Sequence, residues 1–504
     1  KFMNRKRITA SVLFLALILS AVTGCGQTQK ESDTERTIPP DTETETTETG
    51  VETLSDNLPD TLDFGGAAFT ILARGDENSY QEIDAENNGD VVNDAIFNRN
   101  LYIEDRFNVS LQPICGEGWR SYEKDLSRIQ ASVRAADNAY QLIAGYGVVI
   151  APLALKNCFL DLNTLSYIDQ NQPWWYRSTV DSMNICGSLY FITGDVGAIT
   201  SLGGSYVLFE NDRIAASNGI GDISEMVLNG TWTVDKMLSF TTLVYSDLNG
   251  DGVMDDNDQY GFALDAMIYA DYFAIGSGIF QITYDKDHTP VYTPEIERMS
   301  SLVDKIAPIF NGNGALVGSH MLGNGGGGGR HYTMFPEGKL LFSSMELYLS
   351  YDASLRNMED DFTILPYPKL DESQKEYHVN ASHGASIWCI PADVRDPDMS
   401  AAILEAMGCY GYNHVTPAFF RVCLQRKISR NEETTEMLEI IRDSAWVSAE
   451  YLYQQLFGNT CHSARDILST GGNTASFYAS KEKAVAASLE KTIAAFRALK
   501  TEAE

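Results

Sequence analysis

An alternation of short apolar segments with longer amphipathic ones is the feature that most constrains the fold of this chain. Apolar runs at residues 68–73, 109–113 and 140–144 have the length of buried strands, and residues 91–107 have the spacing of a helix. Strands that alternate with helices of this length are typical of parallel βαβ units. The sequence therefore predicts an α/β fold.

The later part of the chain continues this pattern and then becomes mostly helical. Further short strands are predicted at residues 189–193, 205–210, 340–344, 362–366 and 386–391. The clearest late helices are predicted at residues 399–410, 434–453 and 481–499. The chain has 504 residues, 44% of them hydrophobic, and we expect two or more domains.

The first 24 residues have the order of segments found in an export signal. A basic stretch at residues 5–7 precedes an apolar run at residues 12–22, and small residues lead to Cys25. The motif Val22-Thr23-Gly24-Cys25 resembles a bacterial lipobox, which implies a diacylated Cys25 as the first residue after cleavage. The open alternative is an ordinary secretory peptide with a chance cysteine.

Residues 25–65 are predicted to form a disordered, acidic, Thr/Glu-rich tether. Thr and Glu alternate at residues 42–49, and residues 26–60 contain no aromatic side chain. Such a segment buries too little apolar surface to offset its ordering entropy, and its like charges keep it extended. The tether would hold a folded body away from a membrane surface.

The charge of the chain excludes one class of partner. Lys and Arg number 37 against 69 Asp and Glu, a formal charge of -32. Binding to a phosphate backbone relies on clustered cations, so we expect no nucleic-acid partner. Beyond Cys25, seven cysteines are scattered without a CxxC pair, which argues against a disulfide scaffold and predicts that most are buried as small apolar side chains.

Residues 247–258 match the spacing of a twelve-residue calcium loop. Gly252 stands at position 6, where the loop turns sharply, and position 12 is an Asp where a Glu is usual. The predicted ligands are Asp247, Asn249, Asp251, the Val253 carbonyl, Asp255 and Asp258. A helix at residues 234–244 capped by Thr233 precedes the loop and a strand follows it, so the metal would be structural. The alternative is a solvated acidic turn.

Other motifs are weak or absent. The Gly-rich run at residues 323–329 contains GxGxxG but does not lie between a strand and a helix, so we predict a flexible loop. The sequence has no Walker A motif, no HExxH and no GxSxG. These absences remove the usual sequence signals of a P-loop ATPase, a zinc hydrolase and a serine hydrolase.

Several short motifs together resemble the extracellular solute-binding lipoproteins of bacterial ABC importers, in the carbohydrate-binding branch related to maltose-binding proteins. They lie at residues 161–163, 167–169, 173–175, 187–191, 232–237, 247–262 and 364–369, and the resemblance spans about residues 67–500. It implies the type II fold of periplasmic binding proteins, with two α/β lobes, crossing hinge segments and a ligand cleft between the lobes. Lobe 1 would hold residues 66–194 and 344–382, and lobe 2 residues 195–343 and 383–504.

A sugar site needs flat aromatic rings for C–H faces and carboxylates or amides for hydroxyls. In this fold the cleft lies at strand ends. The candidate ligand-binding residues are Arg74, Asp76, Tyr146, Trp175, Glu346, Tyr348, His383 and Trp388. Five of them have an alternative: Tyr146, Trp175 and Trp388 as packing residues, and Asp76 and Glu346 as solvated loop charges.

The resemblance implies a monomeric, non-enzymatic, lipid-anchored protein outside the cell membrane that captures a sugar or oligosaccharide for an ABC permease. One alternative is a surface adhesin that binds glycans without transport. A less favoured alternative is a surface glycoside hydrolase, which needs two carboxylates at a defined separation. The sugar, its linkage and its length are not encoded in any motif of the sequence.

Overall fold

The computed structural model describes residues 53–76, 81–118, 121–264, 267–318, 329–381, 384–425 and 432–503. The predicted signal peptide, Cys25, the first part of the tether and His383 lie outside these residues, as does the Gly-rich run apart from Gly329. Among the described residues, no helix has the length and apolar character needed to cross a membrane.

The first βαβ unit shows how local sequence sets the element boundaries. Strand β1 spans Ala67–Ala73 and helix α1 spans Val91–Phe107. The Asp90 carboxylate caps α1 by accepting hydrogen bonds from the backbone amides of its first turn. Asn108 ends the helix in the left-handed region with φ 49°. Strand β2 follows at once.

The remaining strands are short. They are β2 Val109–Cys115, β3 Leu142–Tyr146, β4 Tyr206–Asn211, β5 Phe262–Leu264, β6 Ile282–Tyr284, β7 Pro290–Tyr292, β8 Ala315–Val317, β9 Phe342–Glu346, β10 Phe362–Leu365, β11 Val379–Asn380, β12 Ser386–Cys389 and β13 Ala445–Trp446.

The helices cover much of the rest of the described chain. They are α2 Glu123–Ala135, α3 Gly147–Ile150, α4 Arg177–Met183, α5 Ala198–Ser201, α6 Asp212–Ser217, α7 Ile223–Leu228, α8 Val234–Leu243, α9 Ile268–Gly276, α10 Ile296–Phe310, α11 His331–Met334, α12 Ala353–Arg356, α13 Pro397–Tyr410, α14 Thr416–Gln425, α15 Glu432–Ser444, α16 Ala449–Leu452, α17 Ser463–Thr470 and α18 Thr474–Ala503. Single 3₁₀ turns lie at Ala151–Lys156, Leu162–Thr164, Asp195–Gly197, Leu347–Tyr351 and Thr460–His462, and a π turn at Gly411–Val415.

Two sheets organise the molecule. The first has the order β12-β3-β1-β2, with β1 parallel to both β2 and β3 and with β12 antiparallel to β3. The second is built around β4, which pairs antiparallel with β9, β10 and β11, and β13 joins it beside β11. The parallel βαβ arrangement predicted for the N-terminal part is confirmed.

The second sheet is buried on both faces. Alternate residues of a strand point to opposite faces, and Leu208 belongs to one apolar core while Val207 and Phe209 belong to another. A separate core covers the first sheet and includes Ile143 and Ile387. The chain passes between these cores at residues 193–205, 411–415 and 447–448, and Ala381, Gly384 and Ala385 lie at a further passage. We call these residues the crossing segments.

The strand pairing corrects the predicted division into lobes at two places. The prediction assigns residues 344–382 to lobe 1, but β9 and β10 pair with β4 in the second sheet. It assigns residues 383–504 to lobe 2, but β12 pairs with β3 in the first sheet. The reason is that partners far apart in sequence supply the hydrogen bonds of these strands. The assignment of the other segments stays a prediction.

The end of the predicted tether is packed on the folded body. Asp56 is buried and pairs with Arg106, whose Nη1 lies 2.6 Å from Asp56 Oδ2. The backbone amide of Leu54 donates to Asn413 Oδ1 at 3.0 Å, and Leu58 joins the first core. The prediction of disorder through residue 65 is therefore wrong for residues 53–65, because their leucines reach apolar surface.

Two other predicted elements differ. The helix predicted at residues 434–453 is interrupted after Ser444, because the Trp446 carbonyl accepts a hydrogen bond from Ala381 N as β13 joins the sheet. The strand predicted at residues 189–193 forms only a bridge between Ile192 and Trp388. The seven cysteines outside the N-terminal region form no disulfide, and four of them are buried, as predicted.

Candidate functional site

Three predicted residues meet at the carboxyl ends of β1 and β3. Arg74 Nε and Nη2 donate to Asp76 Oδ2 at 2.9 and 2.7 Å, and the guanidinium lies 4.6 Å from the centre of the Tyr146 ring. Arg74 Nη1 donates to the carbonyl of Gly384 in a crossing segment, at 2.9 Å. Arg74, Asp76 and Tyr146 are half-buried. We call these three residues the Arg74 cluster.

A second group lies where β4 and β9 pair. Tyr206 stands opposite Glu346 in the ladder and donates its hydroxyl to Glu346 Oε1 at 2.8 Å. Tyr332 donates to Glu346 Oε2 at 3.0 Å. The Tyr206 ring stacks on Tyr272 with 4.3 Å between ring centres. We call Tyr206, Tyr272, Tyr332 and Glu346 the Glu346 cluster.

The tyrosines of the Glu346 cluster stay neutral donors. Burial raises the pKa of Tyr206 and Tyr332 well above the usual value, and the nearby Glu346 carboxylate raises both further. Each Glu346 oxygen accepts one phenol, and a carboxylate offers about four lone-pair sites. Half-buried Glu346 therefore keeps acceptor capacity for ligand hydroxyls.

Tyr451 on α16 interacts electrostatically with a tyrosine of each cluster. Burial raises the pKa of the Tyr451 phenol, and Tyr146 is close enough to raise it further by charge repulsion. Tyr451 has the same effect on the pKa of Tyr272, which burial also raises. A side chain added at Gly147, beside Tyr146, would come within 2.5 Å of Leu452 Cδ2 on the same helix. Tyrosine rings therefore connect the end of the first sheet to the second.

The crossing segments pack tightly next to both clusters. A Cβ added at Gly384 would lie 3.2 Å from Gly204 Cα, so two backbones meet where side chains would separate them. Thr200 Oγ1 accepts from Ser386 N at 3.0 Å, which ties the first crossing segment to the start of β12. Tyr348 N donates to the Gly203 carbonyl at 2.8 Å, so the predicted residue Tyr348 also lies at this junction.

No protein-family model matches the sequence, and no curated protein matches it either. Solved structures do match. The sugar-binding protein MalE from Xanthomonas citri has a TM-score of 0.54 and 11% identity over 86% of this chain and 99% of its own. A cyclo/maltodextrin-binding protein complexed with maltotetraose has a TM-score of 0.52 and 10% identity over 87% of this chain and 99% of its own.

The GacH receptor of Streptomyces glaucescens gives a similar result, with a TM-score of 0.52 and 12% identity over 84% of this chain and 99% of its own. This chain has the fold of the ABC sugar-binding proteins. The predicted fold class, a two-lobed α/β fold of the type II periplasmic binding proteins, is confirmed. At identities this low, the likeness establishes the fold alone.

Two predicted ligand residues lie in the core of the first sheet. Trp388 is completely buried between strand partners, because β12 joins the sheet beside β3. Trp175 is 2% exposed, and its Nε1 donates to Glu405 Oε2 at 3.1 Å. Their prediction as ligand-binding residues is wrong, since neither reaches a surface. His383 lies outside the described residues.

The site contains tyrosines that the sequence analysis did not select. Tyr206 opens a strand, Tyr272 and Tyr332 lie on helices, and Tyr451 follows a break that the sequence did not reveal. The chain has 25 tyrosines, and no local pattern separates these four from the others. Only the pairing of β4 with β9 brings Tyr206 to Glu346.

The predicted calcium loop adopts a tightly bonded conformation. Asp247 Oδ1 and Oδ2 accept from the amides of Gly250 and Gly252, at 2.6 and 2.9 Å, and both glycines have φ above 70°. Asp251 Oδ1 accepts from Val253 N at 2.7 Å. Within the described ranges, no three His, Cys, Asp or Glu side chains are placed to hold a metal ion together. The predicted N-cap Thr233 is confirmed for the helix before the loop.

Proposed function

We propose that this chain captures a saccharide between the Arg74 cluster and the Glu346 cluster and delivers it to the permease of an ABC importer. One observation carries the proposal: the chain has the fold of sugar-binding proteins, and Tyr146, Tyr206 and Glu346 lie half-buried at its strand ends. Rings suit the C–H faces of a sugar, and the carboxylate suits its hydroxyls.

The proposal includes a location outside the membrane. A lipid on Cys25 would anchor the protein, and the acidic segment before residue 53 would act as its tether. Closure of the lobes about the crossing segments would signal occupancy to the permease. Binding, rather than cleavage of the sugar, would be the activity, and the protein would act as a monomer.

The test is a thermal-shift screen of the purified protein against mono- and oligosaccharides, followed by calorimetry and an assay for cleavage of each hit. We expect a saturable rise in the melting temperature with at least one oligosaccharide, which is recovered intact. A ligand at 100 times its Kd stabilises a protein by about 2.7 kcal/mol. Cleavage would establish a hydrolase in its place, and no shift with any sugar would refute saccharide capture.

We also propose that residues 247–258 bind a structural calcium ion. The oxygens of Asp247, Asn249 and Asp251, the Val253 carbonyl, Asp255 and Asp258 supply the hard donors that calcium prefers. We expect EDTA to lower the melting temperature by roughly 2–5 °C and calcium to restore it. Differential scanning calorimetry on metal-verified protein measures this.

A pair of variants makes the calcium test specific. Asp251→Asn removes one loop carboxylate and should abolish the response to EDTA. The control Asp287→Asn changes an exposed loop carboxylate elsewhere and should keep that response. An EDTA-insensitive melt of the wild-type protein would overturn the calcium proposal.

A further inference from the structure

A small pocket is lined in part by Tyr451, the tyrosine that follows β13. Its lining includes Asp271 of α9, Gln281, Glu450 of α16 and Thr460. The space open to the centre of a water-sized sphere is about 30 Å³, where one water needs about 10–15 Å³. The pocket therefore has room for one ion or a few waters and none for a sugar ring. We call it the Gln281 pocket.

Several polar atoms of the Gln281 pocket lack hydrogen bonds of good geometry. Gln281 is 2% exposed, and its side-chain oxygen and nitrogen form no hydrogen bond of good geometry, although the Tyr478 hydroxyl lies close to the amide. Asp271 Oδ1, Glu450 Oε1 and Thr460 Oγ1 likewise form none of good geometry, although the Thr460 hydroxyl lies close to the Glu450 carboxylate. A buried polar atom that is left unpaired destabilises the fold. Four side chains in one pocket therefore have polar atoms without well-formed hydrogen bonds. This arrangement indicates an occupant that contacts several oxygens.

The charges around the pocket are unbalanced. Arg465 pairs with Asp271 through Oδ2, with its Nε at 2.6 Å. Glu450 Oε2 accepts from the backbone amide of Gln281 at 3.2 Å, and the Ile282 amide and the Thr460 hydroxyl also lie beside this carboxylate. Glu450 forms no ion pair with any described residue. One guanidinium therefore faces two carboxyl groups, which leaves an excess of one negative charge when both are ionised.

We propose that the Gln281 pocket binds one small monovalent cation through oxygens of Asp271, Gln281, Glu450 and Thr460. The chemistry is that of an alkali or ammonium ion, which accepts carboxylate, amide and hydroxyl oxygens together. The aromatic side chains of Trp446 and Tyr451 also line the pocket and suit a cation. The cation is either free in solution or the ammonium group of a captured solute, and the second source rests on the proposed function.

Proton binding competes with this cation. Burial raises the pKa of Glu450 and of Asp271, each to about 7, and the Asp271 carboxylate raises the pKa of Glu450 further. The titratable groups that face Glu450 are Asp271, Tyr284, Tyr292, Cys461 and Tyr478, while Arg465 faces Asp271. As the pH falls, a proton replaces the cation on these carboxyl groups, and as the pH rises the buried carboxylates destabilise the fold unless a cation is present.

The experiment measures the melting temperature of the full chain at pH 8 and pH 5.5, in sodium, potassium, ammonium or tetraethylammonium chloride at equal ionic strength. We expect one small cation to raise the melting temperature saturably at pH 8 by about 2–5 °C relative to tetraethylammonium, and by less at pH 5.5. Glu450→Gln should abolish the difference, and Thr460→Val should raise the cation concentration needed for half of the shift.

Glu405→Gln is the matched control. Glu405 is also buried, with a pKa raised to about 8 by burial, but it bonds to Trp175 and Asp169 and does not line the pocket. It should leave the cation response intact. If the free ions have no effect, we compare an amino sugar with its N-acetyl form. Greater stabilisation by the amino sugar, which is lost in Glu450→Gln, would show that the pocket binds the ammonium group of a solute.

Equal melting in all four salts, with no preference for an amino sugar, would overturn the proposal. The proposal would also be overturned if the melting temperature rose with tetraethylammonium concentration as much as with the concentration of a small cation. Tetraethylammonium is too large for the pocket and could act only by screening charge. The comparison of the four salts uses no sugar, so its outcome does not depend on whether the protein captures a saccharide.

Discussion

Replacing Arg442 by methionine is expected to lower the free energy of unfolding by about 3–5 kcal/mol at pH 8, because it leaves a buried carboxylate without its cation. Asp195 has no exposed surface, and its Oδ2 lies 3.2 Å from Arg442 Nη2. Its Oδ1 accepts the hydroxyl of Thr416 at 2.6 Å. The pair joins α15 to the first crossing segment. Chemical denaturation measures the change.

The pH dependence of this loss identifies its cause. Burial already raises the pKa of Asp195, and Arg442 opposes the rise. Without Arg442 the pKa rises further, so Asp195 takes up a proton at higher pH. The deficit of the variant should therefore be smaller at pH 5 than at pH 8. A deficit that does not change with pH would show that packing against Tyr412, which lies 4.5 Å beneath the guanidinium, matters more.

Arg177→Met is the matched control for this experiment. Arg177 forms an ion pair with Asp181 one helical turn away, and both side chains are at least 50% exposed. Solvent screens such a pair, so its loss should cost at most about 0.5 kcal/mol. A comparable loss in both variants would contradict the role assigned to burial.

Elements set by local sequence could be predicted closely. Helix α1 lies at the predicted residues 91–107, where the structure shows Asp90 capping its start and Asn108 its end, and β1 lies within one residue of its predicted apolar run. These signals act within a few residues. The same is true of Thr233, whose side chain caps α8.

Elements set by distant partners could not be predicted in this way. β12 is a four-residue strand, and its apolar sequence suits either sheet. It joins the first sheet because Trp388 pairs with Ala144, a residue more than two hundred positions earlier. The break before α16 likewise depends on hydrogen bonds to β11. Without these pairings, the lobe boundaries and the burial of Trp388 are not visible in the sequence.

The residues of the candidate site also differ in whether local sequence or distant partners determine their position. Arg74, Asp76 and Tyr146 follow strand ends, and strand ends are where this fold places its cleft, so their position could be inferred. Tyr206 and Tyr332 acquire a role only because their hydroxyls meet the same carboxylate. No local sequence pattern distinguishes a tyrosine that makes such a contact from one that does not.

Glu346→Gln is expected to weaken saccharide binding by about 10- to 100-fold, since a hydrogen bond to a charged group contributes about 1.5–3 kcal/mol. The amide replaces one acceptor oxygen by a donor, which meets the hydroxyl of either Tyr206 or Tyr332. The variant thus loses both the charge and one internal bond. Isothermal titration calorimetry with the sugar found by the screen measures the affinity.

Two further variants separate a direct contact from a positioning role. Glu359→Gln changes an exposed carboxylate away from both clusters and should leave affinity unchanged. Tyr206→Phe removes one bond to Glu346 but keeps the ring stacked on Tyr272. If Glu346 itself accepts a sugar hydroxyl, its replacement must cost more affinity than Tyr206→Phe. The reverse order would assign the contact to Tyr206, and unchanged affinity in both folded variants would move the site away from the Glu346 cluster.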